Sequence, residues 1–327
     1  MDRTYKNTEE YMLTKELQVS IVVVCMNNLK NLYPCLEGIR KYTTVSYETL
    51  VVAYLFSKEN FEKVKRDFPW VTFIESNEIR GFSENNNLAL RQAKGKYCYV
   101  LNDDTLMDTP VIDSLVETFE RMPEDVAVVS PNIKFPDGRP QYCGRKNATF
   151  WIFMKRMFFP GHSDSQYVYK TGIFETYNIS GAAFLIKTNV FRAIGYFDEY
   201  YFFCPEDIAV STLLRKKGYK CMVNADINQY HIQGGTWSVL QTATDPAHYK
   251  GLVRFYCGES LAKKTILTIF FVIRSIFRAS IWGAIWCFSL KKKAKYKAVM
   301  YINVIRSLFS SKTPKEIFVL YYDQIKR

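Results

Sequence analysis

The chain has 327 residues, of which 48% are hydrophobic and 23% are charged. These fractions are typical of globular proteins and exclude a disordered chain, and the length suffices for one large hydrophobic core or two smaller ones. The formal net charge of +12 is unevenly distributed, because residues 250–327 carry 16 Lys and Arg against three acids and the remainder is nearly neutral.

Strand and helix patterns alternate through the first 130 residues. Residues 18–25 are a near-continuous β-branched run, typical of a central parallel strand covered on both faces. Further strands are predicted at 49–56, 70–75, 97–100 and 126–131, and helices at 32–42, 60–67, 81–93 and 111–121. The alternation predicts an α/β fold with a doubly wound, mostly parallel sheet.

The pattern loosens after residue 131. Residues 132–178 combine turns with aromatic clusters, and they are interpreted either as an insertion that shapes an acceptor site or as a packed loop. A strand is predicted again at 181–186, followed by helices at 189–194 and 207–217, the second ended by Gly218.

The eight cysteines are scattered, with no CxxC pair and no spacing typical of metal ligands. Several lie in apolar runs, so we expect reduced, buried thiols in a cytosolic protein. Residues 1–15 are polar and lack the apolar core of a signal peptide, so secretion is not predicted.

Two adjacent carboxylates, Asp103 and Asp104, follow the apolar strand at 97–100. Together with Asn102 they come at the carboxyl end of a strand, the edge at which ligands bind in open α/β sheets. Paired carboxylates repel one another unless a cation compensates them, and a divalent metal that bridges two phosphates would do so through hard oxygen ligands. An Asp-rich turn is the alternative interpretation.

Three other segments carry candidate site residues. Residues 85–87 are asparagines at the start of a predicted helix, where they could cap the helix or bind a nucleotide. Glu206 and Asp207 open a helix after an aromatic segment; the helix dipole favours acids there, and apolar surroundings would also strengthen them as proton acceptors. His231 lies close to a glycine pair and is either structural or a ligand.

Taken in order, these segments resemble the motifs of the family 2 inverting glycosyltransferases with the GT-A fold. The resemblance is greatest to the bacterial rhamnosyltransferase-like branch that builds surface polysaccharides. It covers about residues 18–240, through segments at 19–28, 81–87, 101–105, 181–186, 195–207 and 231–238. The resemblance implies a GT-A catalytic domain, which we assign to residues 18–249, after an N-terminal extension over residues 1–17.

The resemblance also implies an activity and roles for residues. A sugar would pass, with inversion, from a nucleotide-diphosphate donor such as dTDP-rhamnose to a glycan or a lipid-linked oligosaccharide acceptor. Asp104 and His231 would hold Mg²⁺ or Mn²⁺ against the donor diphosphate, and Asp207 would be the catalytic base with Glu206 beside it. The residues implied in nucleotide-sugar binding are Asn27, Asn86, Asn87, Asn102 and Asp103.

The chain departs from the family pattern at the end of the second strand. Where the family usually has Val-Val-Asp-Asn, residues 51–55 read VVAYL, so the acid that commonly contacts the nucleotide is absent. Asn85 replaces a usual Gly and Asp103 a common Pro. Two other functions stay open: a nucleotidyltransferase, although residues 26–30 lack its usual glycine-rich loop, and a non-catalytic membrane protein on the same fold.

Residues 250–327 are predicted to form a membrane-associating helical tail. Residues 265–290 are apolar except for Arg274 and Arg278, and their uninterrupted apolar runs of about 9 and 12 residues fall short of the ~20 that span a bilayer. Lysines at 291–297 follow directly, so we expect helices lying on the anionic inner face of the cell membrane. Packing on the catalytic domain is the alternative. Nucleic acid is not an expected partner, because the positive charges alternate with bulky aliphatic residues.

Overall fold

A computed structural model describes residues 17–158, 167–232 and 240–326. Ten strands of this part form one sheet: β1 (Val19–Cys25), β2 (Tyr47–Tyr54), β3 (Thr72–Ser76), β4 (Tyr97–Asn102), β5 (Thr105–Leu106), β6 (Val126–Lys134), β7 (Pro140–Tyr142), β10 (Ile173–Thr176), β11 (Ala183–Lys187) and β12 (Lys220–His231). A separate two-stranded sheet pairs β8 (Gly144–Arg145) with β9 (Tyr167–Val168).

The helices of the described part fall into two sets. Those interleaved with the strands are α1 (Leu29–Tyr42), α2 (Lys58–Asp67), α3 (Phe82–Leu90), α4 (Val111–Glu120), α5 (Phe150–Phe158), α6 (Thr188–Ala193) and α7 (Glu206–Lys216). The C-terminal set is α8 (Gln241–Cys257), α9 (Leu261–Ser289), α10 (Lys292–Leu308) and α11 (Pro314–Lys326).

The main sheet has the order β10-β12-β6-β11-β4-β1-β2-β3. Strands β1 to β4 are parallel neighbours, as predicted, whereas β11 is antiparallel to both β4 and β6. Because β11 runs the opposite way, the segment before it reaches the edge at which β4 ends, and the Asn102 amide donates to the Ala182 carbonyl at 2.9 Å. The sheet is therefore mixed but mostly parallel.

Strand β1 is buried on both faces of the sheet, which explains its unbroken β-branched sequence. Ile21 and Val23 belong to a cluster that includes residues of α1 and α4. Val22, which points the other way, belongs to a cluster with residues of α3, α6 and α7. This two-faced core fixes the carboxyl edge of the sheet, where the candidate site lies.

The C-terminal helices pack on the sheet domain. The ring of Phe318 in α11 stacks on Phe202, with ring centroids 4.4 Å apart, and Lys315 forms a 2.7 Å ion pair with Glu84 at the start of α3. The domain boundary expected after residue 249 falls inside α8. In the described part of the chain, α9 is the one helix long and apolar enough to cross a membrane. The C-terminal helices thus contact the sheet domain through α11, and the membrane-associating role of the tail stays a prediction.

The elements predicted before residue 131 are confirmed to within a few residues. Residues 132–178 are more ordered than predicted: where they are described, they contain α5 and short strands, β7 to β10, besides the end of β6. The long strand β12 was not predicted either, because its polar, irregular sequence lacks a period-two pattern.

Candidate functional site

A cavity of about 1010 Å³ opens at the carboxyl edge of the sheet. Its walls include the ends of β1, β2 and β4, the start of α7, and parts of α5, α8 and α9. Six of the predicted site residues line it: Asn102, Asp103, Asp104, Glu206, Asp207 and His231. The fold thus brings together three segments that are more than 20 residues apart in sequence.

The pairing of β5 with β12 places His231 beside Asp104. His231 pairs with Thr105 in this antiparallel ladder, and the Ile232 amide donates to the Asp104 carbonyl at 2.9 Å. As a result, His231 Nε2 lies 3.1 Å from Asp104 Oδ1, with the two side chains 8% and 16% exposed. The backbone ladder, rather than a flexible loop, sets this distance.

Gln141 fixes which nitrogen of His231 carries the proton. Its Oε1 lies 2.7 Å from His231 Nδ1, and an amide oxygen can only accept, so Nδ1 donates. In the neutral imidazole the lone pair of Nε2 then faces the carboxylate of Asp104, and two acceptors at this distance require a proton or a cation between them. Asn102 Nδ2 lies 3.4 Å from the same Nε2.

A divalent cation fits this donor set. Carboxylate oxygen and imidazole nitrogen are common ligands of such ions. Residues 17–158, 167–232 and 240–326 contain no group of three or more His, Cys, Asp or Glu placed to hold a metal. Asp104 and His231 would supply two ligands, and substrate phosphates and water would complete the shell, as is usual for Mg²⁺. Burial, together with the charge of Asp104, raises the pKa of the adjacent Asp103 to about 6.

Asp207, at the start of α7, is held by donors on both carboxylate oxygens. Oδ2 accepts from Arg145 Nη1 at 2.6 Å and from the Gly181 amide at 3.3 Å, and Oδ1 accepts from the Ile208 amide at 2.7 Å. Arg145 also donates to the Ile179 carbonyl at 3.0 Å. The Arg145 and Asp207 side chains are only 14% and 15% exposed, so this ion pair is well shielded from water.

Glu206 is buried beside Asp207 and differs from it in bonding. Its Oε2 has no hydrogen-bond partner among the described residues. Burial raises the pKa of Glu206, and the neighbouring charge of Asp207 raises it further. Glu206 therefore keeps its proton at pH values at which an exposed glutamate has lost it. Of the two adjacent acids, Asp207 is the one that forms the ion pair with Arg145.

Three predicted site residues do not line the cavity, and their roles in nucleotide-sugar binding stay predictions. Asn86 Nδ2 donates to the Phe82 carbonyl within α3, and Asn87 Nδ2 donates to the Phe197 carbonyl, both at 2.9 Å. Asn27 accepts from the Ser57 amide at 3.2 Å. The reason is helical geometry: residues 86 and 87 project toward the packed side of α3. Asn85, one position earlier, lines the cavity instead.

Several residues in or next to the cavity wall escaped the sequence analysis. Arg145 and Gln141 lie in the segment whose pattern predicted no regular structure, and their partners are 62 and 90 residues away, so no local signal marks them. Tyr54 stands at the end of β2, near the place of the missing acid, and its hydroxyl accepts from the Arg80 amide at 3.3 Å. The predicted segment after His231 (residues 233–238) lies outside the described residues.

Comparison with known proteins assigns the family. The profile described as glycosyl transferase family 2 matches residues 20–192. The chain is 25% identical over 156 residues to the O-antigen biosynthesis protein RfbC of Myxococcus xanthus, a match that covers 45% of this chain and 12% of that protein. It is 24% identical over 191 residues to the glucosyl-dolichyl phosphate glucuronosyltransferase of Haloferax volcanii, covering 54% of this chain and 55% of that protein. The chain thus matches about half or less of either relative.

Solved structures share the fold at low sequence identity. GalNAc-T7, solved with UDP, GalNAc and Mn²⁺, has a TM-score of 0.57 at 16% identity, over 96% of this chain and 58% of that chain. The mannosyltransferase PcManGT of Pyrobaculum calidifontis, in complex with GDP-Man and Mn²⁺, has a TM-score of 0.51 at 14% identity. The match covers 96% of this chain and 89% of that chain. Residues 1–349 of S. aureus TarS have a TM-score of 0.52 at 16% identity, and the match covers 89% of this chain and 80% of that chain. The sheet and helices described above are thus those of the GT-A fold. Because the family profile covers more than half of the chain, the chain belongs to glycosyl transferase family 2.

Proposed function

We propose that this protein is a metal-dependent, inverting glycosyltransferase that moves a sugar from a nucleotide-diphosphate donor to an acceptor hydroxyl. One observation carries the proposal: the Asp104–His231 pair and the Glu206–Asp207 pair line the same cavity, although they come from distant parts of the chain. The structural neighbours solved with UDP or GDP-Man and Mn²⁺ support the donor class and the cation.

Asp104 and His231 are the residues that would hold Mg²⁺ or Mn²⁺. When bound, the cation would supply positive charge to stabilise the departing nucleotide diphosphate. Asn102 and Asp103 lie beside this pair in the cavity and are proposed as contacts of the nucleotide sugar. Gln141 holds His231 through Nδ1 and leaves Nε2 directed at Asp104.

Asp207 would accept the proton of the acceptor hydroxyl as its oxygen attacks the anomeric carbon. Arg145 and the Gly181 amide hold the carboxylate in place for this step. Glu206, in its protonated form, would donate a hydrogen bond to the acceptor or assist proton transfer. A single base without an enzyme nucleophile gives inversion, because the acceptor attacks from the face opposite the leaving group.

The donor and the pathway are proposed more narrowly from the resemblance of the motifs. The rhamnosyltransferase-like branch points to dTDP-rhamnose and to a glycan or lipid-linked acceptor in bacterial surface polysaccharide synthesis. The match to an O-antigen biosynthesis protein supports this setting. In place of the usual acid of the second strand, Tyr54 and Arg80 line the cavity and are proposed as part of the nucleotide site.

The exposed face of α9 is proposed to lie on the anionic inner leaflet of the cell membrane. Its large apolar side chains are exposed over most of its length: Leu261, Ile266, Ile269, Ile273, Ile276, Phe277, Ile281, Ile285 and Phe288. The lysines that open α10 pack over its aromatic end, with Lys297 Nζ 4.1 Å from the ring centroid of Trp282. Apolar burial combined with attraction of lysines to anionic lipid is the usual basis of such binding.

A panel of nucleotide sugars tests the activity. With Mn²⁺ present, we expect one donor to release its nucleotide diphosphate slowly in water and faster with an acceptor. Chelation of the metal should stop both reactions. If no nucleotide diphosphate binds in calorimetry with Mn²⁺, a non-catalytic role replaces the proposal.

Flotation with vesicles tests the membrane contact. The full chain should float with phosphatidylglycerol vesicles, and Ile273→Glu in α9 should reduce the floating fraction. The matched control is Ile173→Glu on the edge strand β10, since the two isoleucines are 63% and 46% exposed. Equal flotation of both variants, or a wild-type protein that stays in solution, would contradict the membrane contact.

A further inference from the structure

One wall of the active-site cavity is built by helices outside the sheet domain. The side chains of this wall are mostly aromatic or apolar, with two arginines among them. We call it the aromatic wall; it consists of Phe153, Arg156 and Met157 of α5, Tyr249, Leu252 and Tyr256 of α8, and Phe271 and Arg274 of α9. The basic C-terminal region, residues 250–327, thus contributes to the cavity wall through α8 and α9.

The aromatic wall borders the proposed base. The ring of Tyr256 stacks on Phe153 with centroids 4.1 Å apart and an interplanar angle of 19°. Tyr256 lines the same cavity as Asp207, and burial raises the pKa of its hydroxyl to about 12. A molecule held against this wall would therefore present its groups to Asp207.

Arg274 places a positive charge in this apolar setting. Its Nη1 donates to the hydroxyl of Tyr249, whose ring lies 4.6 Å from that of Phe271. Burial raises the pKa of Asp245 to about 6, and the positive charge of the Arg274 guanidinium opposes that rise. A partly buried guanidinium is costly without a counter-charge, and its planar donors suit a phosphate group.

The helix that carries Arg274 has two different faces. Leu267, Phe271 and Ser275 are buried and share the side of α9 on which Arg274 lines the cavity. Ile269 and Ile276 lie on the opposite side and are exposed. A ligand with an apolar chain could run along the exposed side while its polar head enters the cavity near Arg274.

We propose that the aromatic wall binds the acceptor, and that Arg274 recognises a phosphate group that joins the acceptor sugar to a lipid. Arg156 contributes a second positive charge to the same wall. The inference rests on the proposed function, because it assumes that the molecule on this wall meets Asp207. It adds a chemical class of acceptor and the residue that selects it.

Calorimetry on the full chain in neutral detergent tests the phosphate contact, with farnesyl phosphate as the probe and farnesol as its uncharged match. We expect farnesyl phosphate to bind more tightly than farnesol. Arg274→Gln should weaken the binding of farnesyl phosphate about 10-fold or more, the usual effect of removing a hydrogen bond to a charged group, and leave farnesol unaffected. Arg278→Gln, four residues later on the exposed part of α9, is the matched control and should change neither.

Three outcomes would overturn the inference: equal binding of farnesol and farnesyl phosphate, equal weakening by both substitutions, or inorganic phosphate that competes as strongly as farnesyl phosphate. The last would indicate a site for free phosphate. Binding of a nucleotide diphosphate with Mn²⁺, measured on the same variants, should not change. If the unsubstituted protein does not bind a nucleotide diphosphate with Mn²⁺, the proposed function is contradicted. The experiment with farnesyl phosphate tests only the acceptor site.

Discussion

Arg145 donates a 2.6 Å hydrogen bond to the carboxylate of Asp207, and this contact joins the short strand β8 to the first turn of α7. The same guanidinium nitrogen lies 3.0 Å from the Ile179 carbonyl. The orientation of the proposed base therefore depends on a segment whose sequence predicted only an insertion or a loop.

Replacing Arg145 should impair transfer without impairing donor binding. For Arg145→Gln we expect kcat to fall about 10- to 100-fold, because a hydrogen bond to a charged group is lost and a shielded carboxylate loses its counter-charge. Arg145→Lys should restore part of the rate. The exposed Arg139→Gln is the control, and an unchanged kcat in Arg145→Gln would remove this residue from the mechanism.

Asp207→Asn should abolish transfer while the donor still binds. A general base contributes about 10²–10⁴-fold to the rate, and the amide cannot take the proton. The measurement is the transfer rate at saturating donor, together with the dissociation constant of the donor. Asp67→Asn, on α2 and away from the cavity, should behave as the unsubstituted protein. Turnover near normal in Asp207→Asn would show that another group accepts the proton.

Binding of the cation should depend on Asp104, His231 and, more weakly, Gln141. We expect Asp104→Asn and His231→Gln to lose Mn²⁺ binding in the presence of a nucleotide diphosphate. Gln141→Leu should weaken it about 10–100-fold, because a residue that orients a metal-binding histidine has effects of this size. Calorimetry with Mn²⁺ gives the affinities, and Asp108→Asn is the exposed control. Full activity of Asp104→Asn in chelator would rule out the metal role.

Glu206 should make the folded protein less stable as the pH rises. Its pKa is raised by burial and by Asp207, so the folded state binds more protons than the unfolded state above the ordinary glutamate value of 4.5. The free energy of unfolding therefore falls with rising pH until the folded-state pKa is passed. Urea unfolding at a series of pH values should show a flatter dependence for Glu206→Gln. An unchanged slope would mean that Glu206 is charged in the folded protein.

The sequence predicted the sheet well because its signals are local. The strand at 97–100 and the acids after it can be recognised within ten residues, and the carboxyl edge follows from the strand–helix alternation. Asp104, Glu206 and Asp207 line one cavity at this edge, and their roles there stay predictions.

The missed contacts are those made by pairs distant in sequence. Arg145 meets Asp207 only through the turn-rich segment, and Gln141 meets His231 only because β7 and β12 both pair with β6. The role of the asparagine motif stays a prediction. Its residue types suggested ligand contacts, but the helical period turns residues 86 and 87 into the protein and leaves Asn85 at the cavity.

Phe318 both stacks on Phe202 and lines the cavity, so α11 supplies part of the cavity wall. Exchange of the C-terminal region between members of the family would transplant a portion of the cavity wall together with the proposed membrane contact. We therefore expect a hybrid joined near residue 249 to select the acceptor of the protein that supplied its C-terminal part. Its preferred nucleotide sugar should be that of the protein that supplied its N-terminal part.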